Sequence, residues 1–155
     1  MEQRTSSETP AARCRYYRRT CGLPATLHPE IGRIVVNAGI VWALTMPAAL
    51  GQIVKTDLQH RQISVGPIIS HPRSQRWTFL IRPDLPDEVK LFAELFRLNV
   101  SVVRAGGEIA LPSPHDQQMN FRRWVEPPRE PYRPSGVVII DSIRRATRRS
   151  GSQAR

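Results

Sequence analysis

"IVWALTMPAALGQIVKTDLQHRQISVGPIIS" (residues 40–70) runs from a β-branched apolar stretch through Thr-Met-Pro into a segment whose apolar residues return every three or four positions, and then into a second short apolar stretch. That pattern reads as strand, helix, strand. Thr45 stands where a helix cap would, Pro47 falls in the first turn, and Leu50, Ile53, Val54 and Leu58 share one face of a helix over about 47–61.

Upstream, "RIVVNAGIVWALTM" (33–46) reads as two strands about a turn at 37–39. Downstream, "GPIIS" (66–70) and "RWTFLI" (76–81) form an antiparallel pair across "HPRSQ". Asp84, Asp87 and Glu88 sit where acids favour a helix start, and Val89, Phe92, Leu95 and Phe96 line one face of a helix running to about Leu98. "VSVVRA" (100–105) is then a strand, "EIALP" (108–112) its hairpin partner across Gly106 and Gly107, and "RRWV" (122–125) a short edge strand. After a proline-rich connector at 126–134, Ser135 caps a last helix over 137–148 that carries Val137, Ile140, Ile143 and Thr147 on one face. From Ile40 to Ala105 the order is strand, helix, strand, strand, helix, strand, shared by ferredoxin-like and RNA-recognition folds. The expected fold is therefore α+β: a mixed sheet with a βαββαβ core, an added hairpin and a C-terminal helix. One domain over 13–148 is expected, between a loose tail at 1–12 and a basic tail at 149–155.

The chain has 23 basic and 13 acidic residues, a formal net charge of +10, and only Lys55 and Lys90 among the basic residues are lysine. A planar guanidinium makes bidentate bonds to phosphate or carboxylate, so an anionic partner is expected, nucleic acid or a nucleotide first and an acidic protein surface second. No apolar run approaches the ~18 residues of a membrane span, and the first twenty residues lack a signal peptide's apolar block. A cytoplasmic protein with no membrane partner is the expectation. Cys14 and Cys21, with His28 beyond them, lack the second ligand pair a zinc site needs. Free thiols, no metal and no cofactor are expected.

Trp77 and Phe79 alternate along one strand and share a side of the sheet; an open face would let them stack on bases, a covered one would make them core. Arg73, Arg76, Arg82, Arg104, Arg122 and Arg123 lie at strand ends, where they either converge on one rim or form a solvated surface. Arg144, Arg145, Arg148 and Arg149 run along one broad face of the last helix, placed for phosphates, for an acidic protein or for the helix dipole. Metal-dependent nucleotidyl transfer needs two carboxylates a few ångströms apart, and the central strands contain no acid. His115 and Asp116 adjoin in a loop with no nucleophile tied to them, and "AGG" (105–107) lacks the spacing and lysine of a phosphate loop. These features argue against a catalyst.

"GPIISHPRSQRWTFLI" followed by "VSVVRAGGEIALPSPHDQQMNFRRWVEPP" resembles the later part of the N-terminal domain of bifunctional primase-polymerases, over about residues 64–128. The resemblance implies an RNA-recognition-like core and a nucleotide-site wall at "GGEIALPSPHD". The family's paired metal-binding acids would follow "IVWALTM", and its histidine would fall at or near Trp77; neither is present. What remains resembles a catalytically empty member. The wider pattern is also similar to small uncharacterised actinobacterial proteins, some labelled as RNA polymerase beta subunit, which would imply at most an association with transcription. The leading expectation is a non-catalytic nucleic-acid- or nucleotide-associated module. The alternatives are an arginine-rich protein-interaction module of the transcription or replication machinery and a degenerate nucleotidyltransferase.

Overall fold

The structure is a computed structural model and describes residues 8–153. In chain order it contains α1 (Pro10–Arg19), β1 (Ala25–His28), β2 (Arg33–Asn37), β3 (Trp42–Pro47), α2 (Ala48–His60), β4 (Ile68–His71), β5 (Arg76–Ile81), α3 (Val89–Arg97), β6 (Ser101–Val103), β7 (Glu108–Leu111), α4 (Pro114–Gln118), β8 (Arg123–Glu126) and α5 (Gly136–Gln153). The class is α+β. None of the described helices is long and apolar enough to cross a membrane.

Two sheets share the strands: a five-stranded one in the order β6-β3-β5-β4-β8 and a three-stranded one in the order β1-β2-β7. Every pairing is antiparallel, so the expected mixed sheet is corrected on this point. In the larger sheet β5 lies between β3 and β4, and β3 between β5 and β6. Each helical crossover, through α2 or α3, therefore spans an intervening strand, which keeps all neighbours antiparallel. β8 adds the edge beyond β4, where an edge strand was expected.

One expected pairing is replaced, and a second pair of chain-adjacent strands does not pair either. β7 is no hairpin partner of β6, because β6 pairs with β3 and β7 with β2; likewise β2 pairs with β1 and β7, and never with β3. Both turns carry the chain from one sheet to the other, and they are tied together by bonds from the Ala38 amide to the Gly107 carbonyl (2.8 Å) and from the Gly106 amide to the Ala38 carbonyl (3.2 Å). A glycine turn between two apolar strands has the same local chemistry whether it closes a ladder or changes sheets.

The five-stranded sheet is covered on both faces. Leu44, Met46, Ile68, Phe79 and Ile81 meet Val54 and Leu58 of α2, Leu91 and Leu95 of α3, and Ile139, Ile140 and Ile143 of α5. On the other face Ala43, Ile69 and Leu80 meet Ile34, Val36, Ile109 and Leu111 of the smaller sheet, together with Cys14 and Tyr17 of α1. Alternation along β3, β4 and β5 supplies both cores at once.

The helices are rotated from their expected faces. In α3 the seam is Leu91 and Leu95, while Val89 and Phe96 stand 85% and 82% exposed. In α2 Gly51, Val54 and Leu58 face inward and Ile53 outward, because Trp77 lies flat on the helix: a Cβ on Gly51 would sit 2.8 Å from Trp77 Cε3. Thr45 is no helix cap; it belongs to β3, and α2 starts after Pro47 without a side-chain cap. Of the acids expected to start α3, Asp84 serves α5 instead, accepting from the Ser135 hydroxyl (2.5 Å) and the Gly136 amide (2.7 Å). The first helix starts at Pro10, inside the stretch read as tail, because Thr9 caps it by accepting from the Ala12 amide. The last helix runs on to Gln153, past Arg149 where a basic tail was expected. The remainder of both expected tails, 1–7 and 154–155, lies outside the described residues.

Candidate functional site

The polar residues of the five-stranded sheet collect at one end of the face that looks at the smaller sheet. Thr45 pairs with Thr78 and His71 with Arg76, on the side opposite Met46, Trp77 and Phe79. His71 Nε2 lies 2.7 Å from Thr78 Oγ1, which lies 3.0 Å from Thr45 Oγ1, a continuous hydrogen-bonded chain between the sheets. Glu108, Ile109 and Ala110 of β7 face this chain across an inner chamber of about 230 Å³, lined also by Ser74, Arg76 and Val103.

On the far side of His71 lies an outer chamber of about 440 Å³, lined by Arg33, Arg73, Arg122, His115, Asp116 and Phe121, with Ile31 and Ser74 at its rim. His71 and Ser74 border both chambers, with the His71 ring between them. Arg33 is brought in by the start of β2, Arg73 by the β4–β5 turn, and Arg122 by the residue before β8. The Arg73 guanidinium stacks on the Phe121 ring at 4.2 Å and donates to the Met119 carbonyl (3.2 Å). Arg122 pairs with Asp116 at 3.1 Å. Asp116 is also committed to its own helix: its amide donates to Ser113 Oγ (3.0 Å) and its carboxylate accepts from the Ser113 amide, the capping box that starts α4. The Nε atoms of Arg33 and Arg122 are buried with no hydrogen-bond partner among the described residues. Burial first, and then the charges of Arg122 and Arg76, push the His71 imidazole down to about 4, so it is neutral at pH 7.

The twelve residues expected to contact an anion are thus divided. Arg73, Arg76 and Arg122 converge on the cleft, although Arg76 spends one nitrogen on the carbonyls of Thr45 and Asn99, each at 3.0 Å. Arg123, exposed on β8 opposite Ser70, shares the register of Trp77 on the helical face of the sheet and does not line the cleft. Arg82 and Arg104 lie at the other end of the sheet, where β5 and β6 finish; Arg104 pairs with Asp87 (3.2 Å) and covers the Phe92 ring (4.2 Å). One shared rim for all six is therefore a misreading, because strand direction sends the ends of β4 and β5 to opposite edges. Trp77 and Phe79 are not on an open face: Phe79 is fully buried and Trp77 is pressed between α2 and the core.

The helix arginines are mostly engaged. Arg144 binds Glu94 through two nitrogens (2.9 and 2.8 Å), holding that carboxyl below its usual range. Arg145 (3.3 Å) and Arg149 (4.0 Å) reach Asp57, which also accepts from Ser142 Oγ (2.7 Å) and pairs with Arg61 (2.9 Å). Burial would raise the Asp57 carboxyl, but the bonds from Ser142, Arg61 and Arg145 outweigh it and hold it below the usual range. Arg148 is exposed with no ion pair among the described residues.

Arg33, His71, Thr45 and Thr78 were missed as site residues from the sequence. Their signal is a polar residue at every inward position of one strand end, visible only once the facing sheet is known. Cys14 and Cys21 are free and buried, and burial pushes both thiols up. Among the described residues no group of three His, Cys, Asp or Glu side chains could hold a metal ion. No protein-family model, no curated protein and no solved structure matches this chain.

Proposed function

We propose that this chain is a non-catalytic nucleic-acid- or nucleotide-binding module whose phosphate contacts lie in the cleft partitioned by His71. The observation that carries this reading is the outer chamber, where three guanidinium groups meet a single carboxylate that is already held by its own helix. Bidentate phosphate recognition uses such donors. The similarity of residues 64–128 to a primase-polymerase domain points the same way. The cleft's two acids, Glu108 and Asp116, lie in different chambers, which supports a binding role over two-metal chemistry. Docking of the helix arginines on an acidic protein has less support, since Arg144 and Arg145 are paired within the chain.

The test is fluorescence anisotropy with labelled single-stranded and duplex DNA and RNA between about 50 and 200 mM salt, a range over which several phosphate contacts cost orders of magnitude in affinity. Steep salt dependence, together with weakened binding for Arg33→Gln and Arg122→Gln, is the expected result. Binding that ignores both substitutions would remove the cleft from the reading, and binding no tighter than that of any basic protein would end it.

A further inference from the structure

The two chambers differ in chemistry, and the difference specifies a ligand more closely than its charge does. We propose that the outer chamber receives a phosphomonoester, the terminal phosphate of a mononucleotide or of a nucleic-acid strand, while the inner chamber holds the neutral polar group attached to it. This rests on the nucleic-acid or nucleotide reading above and names the part of the ligand that is recognised.

The first argument is charge. Arg33, Arg73 and Arg122 against Asp116 leave two positive charges uncompensated in the outer chamber. A phosphomonoester carries about −1.5 to −2 at pH 7, whereas each internal phosphate of a nucleic-acid backbone carries one. A dianion matches the two uncompensated charges, and a single backbone phosphate leaves one of them unmatched.

The second argument is the partition. Behind His71 the excess of positive charge ends: the inner chamber offers the hydroxyls of Thr45, Ser74 and Thr78, the Glu108 carboxylate balanced by Arg76, and an apolar floor from Ile109 and Ala110. Arg76, its one cation among the described residues, donates to two backbone carbonyls. A carboxylate there accepts from sugar hydroxyls or amino groups and repels a second phosphate. A backbone threading the cleft would bring one phosphate against Glu108; a strand end or a mononucleotide would not. Chambers of this size together fall within the range of small-molecule sites.

The experiment compares two 12-nucleotide single strands labelled at the 3′ end, one with a 5′-phosphate and one with a 5′-hydroxyl, in anisotropy titrations at fixed salt. AMP, adenosine and inorganic phosphate serve as competitors. At least tenfold tighter binding of the phosphorylated strand is expected, with the advantage lost in Arg33→Gln and in Arg122→Gln and with AMP competing where adenosine does not. If the two strands bind equally and both weaken in these variants, the cleft holds backbone phosphates: the monoester inference falls and the nucleic-acid reading stands. Should AMP bind while neither strand does, the ligand is a free mononucleotide and the inference holds for that source. Failure of both strands and of AMP overturns the inference and the functional reading together. Arg122→Lys separates loss of fold from loss of recognition, since it keeps the charge beside Asp116 and removes the bidentate fork.

Discussion

Two arginine clusters lie on opposite faces of the five-stranded sheet, and they do different things with the same side chain. On the helical face Arg61, Arg145 and Arg149 surround Asp57, while Arg144 grips Glu94, so most of that charge is spent on holding α5 against α2 and α3. On the other face Arg33, Arg73 and Arg122 line an open chamber whose only acid among the described residues is Asp116. The lesson is that an arginine's role depends on whether its own chain supplies the counter-charge. Composition counts both clusters alike.

The comparison breaks most visibly at Asp57. Replacing Asp57 by Ala leaves Arg61 and Arg145 facing each other and the buried Ser142 hydroxyl without its partner, and about 3 kcal/mol of stability is lost, the upper end for bonds to a charged group because the arginines left behind are partly exposed. Urea unfolding reads this loss, and phosphate binding by the folded fraction stays unchanged. A variant that binds nucleic acid more weakly without losing stability would mean that α5 belongs to the interface.

At the cleft, acid is the lever. The unfolded chain protonates its histidine near 6.5 and the folded chain holds His71 at about 4, so between these values the unfolded state binds more protons. This contribution to stability is fully present above pH 6.5 and is lost as the pH falls towards 4, a loss of at most about 3 kcal/mol. His71→Gln flattens that part of the curve in unfolding titrations across pH 4–7, and other carboxylates cancel when variant and parent are compared. An anion in the outer chamber offsets Arg122 and moves the His71 titration upward, which histidine NMR detects.

Smaller effects sharpen the contrast. Arg33→Gln and Arg122→Gln each weaken binding of a phosphorylated strand about tenfold, equal to about 1.4 kcal/mol. Arg144→Gln breaks a partly exposed pair with Glu94, lowers stability by about 0.5 kcal/mol and leaves binding within twofold. If the last variant matched the first two in binding, the division between structural and ligand-facing arginine would fail.

Much of the architecture was legible along the chain. The succession of strands and helices from Ile40 to Ala105, the β4–β5 hairpin, the β8 edge and the Ser135 cap all follow from local periodicity and turn or cap chemistry, which act within a few residues. The strand Ala25–His28 and the short helix Pro114–Gln118 were not, since a four-residue strand and a one-turn helix carry too little pattern to stand out. The sequence by itself determined the class, the succession of apolar strands from Ile40 to Ala105 and the excess of arginine over acid. Only the tertiary structure decided that the turns at Gly39 and Gly106 change sheets, that Phe79 is core, that Asp57 and Glu94 claim the helix arginines, and that Arg33 joins Arg73 and Arg122 around His71. The physical reason is range: hydrogen bonding in turns and the period of side chains are local, whereas which sheet a strand joins and which acid an arginine meets depend on residues dozens of positions away.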